Sequence, residues 1–100
     1  MHLGGSLHDW IVGPPAAQFD LHGQTVLEAA TNAERFLQSQ AKARPGAVVR
    51  IITGRGRSGG GAPVRTRVRS LLRRLKDEGR LVRAWELEAG EGSFLVRLAG

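Results

Sequence analysis

Residues 18–53 read QFDLHGQTVLEAATNAERFLQSQAKARPGAVVRIIT, and three patterns follow one another within them. Gln18-Phe19-Asp20-Leu21-His22 alternates apolar with polar side chains, the period of a half-buried strand, and Gly23 ends it. Thr25 followed three residues later by Glu28 is a capping box, in which the two side chains satisfy backbone N–H groups left open at a helix start. Val26, Ala29, Ala30, Ala33, Phe36, Leu37 and Ala41 then recur at helical spacing until Pro45-Gly46 stops the helix. Val48-Val49-Arg50-Ile51-Ile52-Thr53 is a short β-branched run, the composition of a central strand. Strand, helix and strand within about 35 residues make a right-handed β-α-β unit with parallel strands.

Downstream, Gly54-Arg55-Gly56-Arg57-Ser58-Gly59-Gly60-Gly61 reads as a loop, and Pro63 suits the first turn of a second helix. Val64, Val68, Leu71, Leu72 and Leu75 form the apolar stripe of that helix, which ends at Gly79. Leu81–Glu88 and Ser93–Leu98 alternate as strands joined through Ala89-Gly90-Glu91-Gly92. Strict alternation puts Trp85 on one face with Leu81, Arg83 and Leu87, where burial is expected. The order β-α-β-α-β-β predicts an α/β chain built as an α+β two-layer sandwich, with two helices on a mixed four-stranded sheet. Residues 1–17 read as an irregular arm whose Trp10 docks on the core, and residues 18–100 as the domain. His2 and His8 lack ligand-like spacing to a third partner.

Composition bounds the function classes. The chain has 100 residues, 41% hydrophobic and 24% charged, which fits one small folded domain and leaves no room for a large cofactor cavity. With no cysteine there is no disulfide framework, no Cys-based zinc site and no thiol nucleophile, and the expected location is the cytoplasm. No apolar run approaches the roughly 20 residues of a membrane helix, and the first residues do not read as a signal peptide.

The formal charge of +6 is segregated. Residues 1–53 carry four basic and four acidic groups, and residues 84–100 one against three. Residues 54–83 carry ten against two, or +8. Thirteen of the 15 basic side chains are arginine, whose planar fork matches phosphate oxygens. Along the second helix Arg65, Arg69, Arg73, Lys76 and Arg80 fall on one flank of the apolar stripe, and Arg67 and Arg74 on the other. Arg73–Asp77 and Arg74–Glu78 stand at i,i+4, the spacing of helix-supporting ion pairs. A basic block of this kind in a small domain points to nucleic acid.

Parallel strands of a β-α-β unit end on the same side, and ligands bind beyond their carboxyl ends. Asp20-Leu21-His22-Gly23 is therefore expected beside Thr53-Gly54-Arg55-Gly56. Asp20 and His22, two apart on a strand, would share a face, and a carboxylate beside an imidazole favours proton transfer near neutral pH. The glycine loop would bring backbone N–H groups and the following helix N-terminus to a phosphate, with Arg55 and Arg57 adding charge.

Phe19-Asp20-Leu21-His22-Gly23, Thr53-Gly54-Arg55-Gly56 some thirty residues on, and Gly59-Gly60-Gly61-Ala62-Pro63-Val64 before a basic helix together resemble the small MutS-related (Smr) domain family, in its stand-alone form. That family is marked by an (L)DLHG and an (H/T)GxG motif on a β-α-β-α-β-β fold related to the C-terminal domain of a bacterial translation initiation factor. The resemblance covers about residues 18–99. It implies a nucleic-acid-binding domain, with DNA-nicking or RNA-cleaving endonuclease activity in several members. By position, Asp20 and His22 fall on the first motif and Thr53, Gly54, Arg55 and Gly56 on the second. Thr53 stands where many members carry His, and Phe19 where Leu is commoner.

The expected function is thus an endonuclease. His22 would act as general acid or base, with Asp20 orienting it and Thr53 completing the implied catalytic set. Gly54, Arg55, Gly56 and Arg57 would bind the scissile phosphate, and Arg65, Arg69, Arg73 and Lys76 the flanking backbone of DNA or RNA. A divalent ion, Mg or Mn, is the one cofactor considered, with Asp20 its only candidate ligand. No membrane or small-molecule partner is expected, and the chain is expected to be a monomer. The alternative is a non-catalytic DNA- or RNA-binding module, for structured RNA or a ribosome. A third class, a protein adaptor docking through the Trp10 arm, would bind independently of salt.

Overall fold

The structure, a computed structural model, describes residues 14–54, 61–90 and 92–100. The elements run β1 (Gln18–Asp20), α1 (Val26–Ala43), β2 (Val48–Ile52), α2 (Gly61–Asp77), β3 (Val82–Leu87) and β4 (Ser93–Leu98). The sheet has the order β1-β2-β4-β3, with β1 parallel to β2 and the other neighbours antiparallel. This is the expected β-α-β-α-β-β chain, a mixed four-stranded sheet with both helices on one face.

The capping box forms as read: the Glu28 N–H donates to Thr25 Oγ1 at 3.2 Å, and the Thr25 N–H to Glu28 Oε1 at 3.0 Å. Helix α1 buries Ala29, Ala33 and Leu37, and α2 buries Val64, Val68, Leu71, Leu72 and Leu75. They cover Val49 and Ile51 of β2 and Phe94, Val96 and Leu98 of β4 in one core. Small residues on α1 let it approach the sheet closely, and Phe36 closes the β1 edge by stacking on Phe19 at 5.2 Å.

Helices that cross from strand to parallel strand run back along the sheet. The β2-α2-β3 crossover skips over β4, which lies between its two strands. Both helices therefore begin at the carboxyl end of β1 and β2 and bring their N-termini to that rim.

Two strand readings change. The expected strand Gln18–His22 stops at Asp20. The Leu21 N–H still reaches the Ile52 carbonyl at 2.7 Å, but the Leu21 carbonyl then accepts the Gln24 N–H at 3.1 Å and the chain turns at Gly23, φ +84°. The second change is in β3, where a bulge between Val82 and Ala84 inserts Arg83 as an extra residue. Arg83 is exposed and does not share a face with Trp85. The bulge lets both Val82 and Trp85 face the core, where Trp85 meets the Phe94 ring edge-on at 5.8 Å. Leu81 sits just outside the strand at φ +62°, centred in a tight turn closed by the Val82 N–H on the Arg80 carbonyl at 2.6 Å.

Ahead of β1, the Ala16 N–H bonds the Val48 carbonyl at 2.9 Å and the Ala17 carbonyl accepts the Arg50 N–H at 3.0 Å, so pairing with β2 begins before Gln18. The rest of the expected arm, Trp10 included, lies outside the described residues. No described helix is long and apolar enough to cross a membrane.

Candidate functional site

The two motifs meet at the rim where β1 and β2 end. Gly54 takes φ +87°, and a Cβ built there would lie 3.6 Å from Cδ2 of the His22 ring. That distance is ordinary contact, so space does not exclude a side chain. The backbone does, since the left-handed conformation costs an L-residue about 1–2 kcal/mol. The imidazole of His22 thus lies along the bare backbone of the second motif. His22 is exposed, and its ring makes no hydrogen bond with the described residues.

Asp20 is exposed as well, but its carboxylate does not orient the ring. Asp20 Oδ1 accepts the backbone N–H of His22 at 2.8 Å. The bond closes a turn over Leu21, whose side chain is fully buried. The expected carboxylate–imidazole pairing is therefore replaced by a main-chain one: Asp20 fixes where residue 22 leaves the sheet, and the ring follows.

Thr53 is placed differently from a surface catalytic group. It is 1% exposed, and its hydroxyl lies 3.4 Å from the Gly54 carbonyl and 3.5 Å from that of Gly92. The Gly92 carbonyl also accepts two backbone N–H groups, from Thr53 at 2.9 Å and Gly54 at 3.0 Å. Gly54's N–H is consequently engaged within the fold, which removes it from the expected phosphate cradle. Arg55, Gly56 and Arg57 lie outside the described residues.

The hairpin that supplies the Gly92 carbonyl is itself pinned. Arg50 Nε donates to Glu88 Oε1 at 2.8 Å and Arg50 Nη2 to Glu88 Oε2 at 3.1 Å, a two-pronged ion pair on the sheet face away from the helices. Ser93 Oγ donates to the same Glu88 Oε1 at 2.6 Å. Glu88 thereby joins both ends of the β3–β4 turn and ties them to Arg50, in mid-strand on β2. Sequence reading missed this brace because the partners are separated by 38 positions.

Among the described residues, no group of three or more His, Asp or Glu stands together as a metal-binding set. Asp20 is the carboxylate within the first motif, and one of its oxygens already accepts the His22 N–H. The described residues do not form a cage for a divalent ion.

The ion pairing of the cations on and just after α2 does not follow the two flanks of the helical wheel, since Arg80 joins Arg74 at Glu34. Arg69, Arg73 and Lys76 make no ion pair with described residues, while Arg65 is bonded. From Arg65 to Lys76 they run about 6 to 22 Å from the helix start, at 1.5 Å per residue, so the stripe leads away from the rim. The expected Arg73–Asp77 and Arg74–Glu78 pairs do not form. Arg74 reaches α1 instead, 3.7 Å from Glu34, which Arg80 also approaches at 3.8 Å, and Arg80 takes Glu78 at 3.3 Å. Tertiary contact outweighs a surface i,i+4 pair worth only about 0.3–0.5 kcal/mol.

Residues 19–99 match the family model of the Smr domain. The crystal structure of the Smr domain of Thermus thermophilus MutS2 is similar to this fold, with a TM-score of 0.69 and 29% sequence identity over 85% of this chain and 100% of that one. No curated protein sequence matches the chain.

Proposed function

The chain belongs to the Smr domain family, and from that membership together with the His22–Gly54 contact we propose that it binds nucleic acid and cleaves its phosphodiester backbone. The contact carries the reading: an exposed imidazole lies at the rim where two parallel strands end and two helices begin. Helix N-termini there favour an anion, and the +8 segment begins at the same place. His22 takes the proton of the attacking hydroxyl, from water or the 2′-OH of RNA. The new O–P bond forms as the bond to the leaving oxygen breaks, and solvent returns a proton to that oxygen. Asp20 positions His22 through the main chain, and Thr53 positions Gly54. Arg55, Gly56 and Arg57 are assigned to the scissile phosphate and Arg69, Arg73 and Lys76 to the flanking backbone, with Arg65 beside them. No step is assigned to a metal ion.

The test is incubation of the purified protein with single-stranded RNA and with supercoiled plasmid, each with and without EDTA. Cleavage by the parent is expected. Binding without cleavage would favour the binding module instead. Binding is also expected to weaken steeply with salt, log K falling by about 0.7–0.9 per neutralised phosphate for each tenfold rise in salt. A salt-independent affinity, measured by fluorescence anisotropy, would contradict the electrostatic contact and fit the protein adaptor.

A further inference from the structure

Helices α1 and α2 leave a groove between them that begins near the same rim. Leu27 of α1 and Arg67 of α2 line its near end, Glu34 and Arg74 its far end, and Ala30 and the exposed Ser70 lie between them. Leu27 is 75% exposed, and it and Val26 are the exposed large hydrophobic residues among those described. Both sit in the first turn of α1, directly after the His22 turn. Every other large apolar side chain of that helix faces the core or its border. The small side chains of Ala30 and Ser70 keep the groove open.

The groove is lined by two arginines, Arg67 and Arg74, and one carboxylate, Glu34. Glu34 lies between Arg74 and Arg80, and Arg80 also takes Glu78, so the charges at the far end are matched and the positive charge left over is that of Arg67. Arg67, at the near end, has no ion-pair or hydrogen-bond partner among the described residues. An apolar side chain and a guanidinium with no partner among the described residues, lining one groove, match a nucleotide: the phosphate pairs with the arginine and the flat face of the base covers the leucine. In a duplex those faces are stacked on their neighbours, whereas an unpaired nucleotide offers them.

We propose that this groove is a subsite for one unpaired nucleotide flanking the scissile phosphate, with Leu27 contacting its base and Arg67 its phosphate. The proposal rests on the nucleic-acid reading above and narrows its substrate class to single-stranded or locally opened strands. Leu27 and Arg67 are discriminating residues here, distinct from the His22 site.

The test compares a fluorescein-labelled single-stranded DNA dodecamer with the duplex of the same sequence, binding to the parent, Leu27→Ala and Arg67→Gln. Both positions are exposed, and circular dichroism checks that the variants remain folded. Leu27→Ala is expected to weaken single-strand binding about 5- to 10-fold without changing the salt slope. Arg67→Gln is expected to weaken it by a similar factor and to lower the slope by about one. Duplex binding should change less than about twofold. Variants that bind the single strand like the parent would overturn the groove subsite and leave the nuclease reading standing. Equal losses for strand and duplex, or competition by polyglutamate alone, would overturn it too. A parent that binds neither DNA fails the underlying reading itself.

Discussion

Replacing His22 with Ala is expected to slow cleavage of single-stranded RNA by about 10²- to 10⁴-fold, the usual worth of a positioned general acid or base. Binding and stability should hardly move. The ring is exposed and holds no hydrogen bond with described residues, so its removal strands no buried group. The backbone N–H that bonds Asp20 survives the substitution, so the turn keeps its shape. Asp20→Asn should act more mildly than Asp20→Ala, because the amide oxygen can still accept that N–H. Single-turnover rates at saturating protein, beside a thermal melt, make the comparison. Full activity in the His22 variant would remove the imidazole from the chemistry.

Glu88→Ala is the second large effect, and it reaches the site from a distance. The carboxylate is 13% exposed and the Arg50 side chain 27%. Breaking a fully buried pair costs about 3–5 kcal/mol because one charge is left stranded, and an exposed pair is worth about 0–1. A half-buried, two-pronged pair falls between, so a loss of about 1–3 kcal/mol is expected in urea unfolding. The Ser93 hydroxyl loses its acceptor at the same time. The hairpin then loosens where Gly92 holds Thr53 and Gly54, and kcat should fall more than KM rises. Removing both charges, with Arg50→Met and Glu88→Leu together, should be less destabilising than either loss alone. A double variant as unstable as the sum of the singles would show that the pair does not act as a unit.

Those two effects also mark what the sequence discloses and what it hides. The core of both helices was legible because it is periodic, and α1 begins at Thr25 because a capping box is a local hydrogen-bond pattern. The meeting of His22 with Gly54 follows from parallel strands ending side by side, so topology alone brought the motifs together. The hidden features are those that pair distant residues or break a period. Asp20 bonds a backbone group that no side-chain pattern records, and Thr53 is turned inward by the hairpin. The bulge at Arg83 adds one residue to a strand whose alternation otherwise looks regular. Arg74 reads as a helix partner of Glu78, yet Glu34 on the neighbouring helix attracts it once the helices pack.

The central claim is that the two motifs form one phosphate-binding rim. It is tested most directly by backbone amide NMR during titration with a single-stranded phosphorothioate oligonucleotide, which resists cleavage. The expected result is that the largest shift changes fall on His22, Gly23 and Gly54 together, with smaller ones at the first turns of α1 and α2. Changes confined to the outer half of α2, with His22 and Gly54 unmoved, would contradict it.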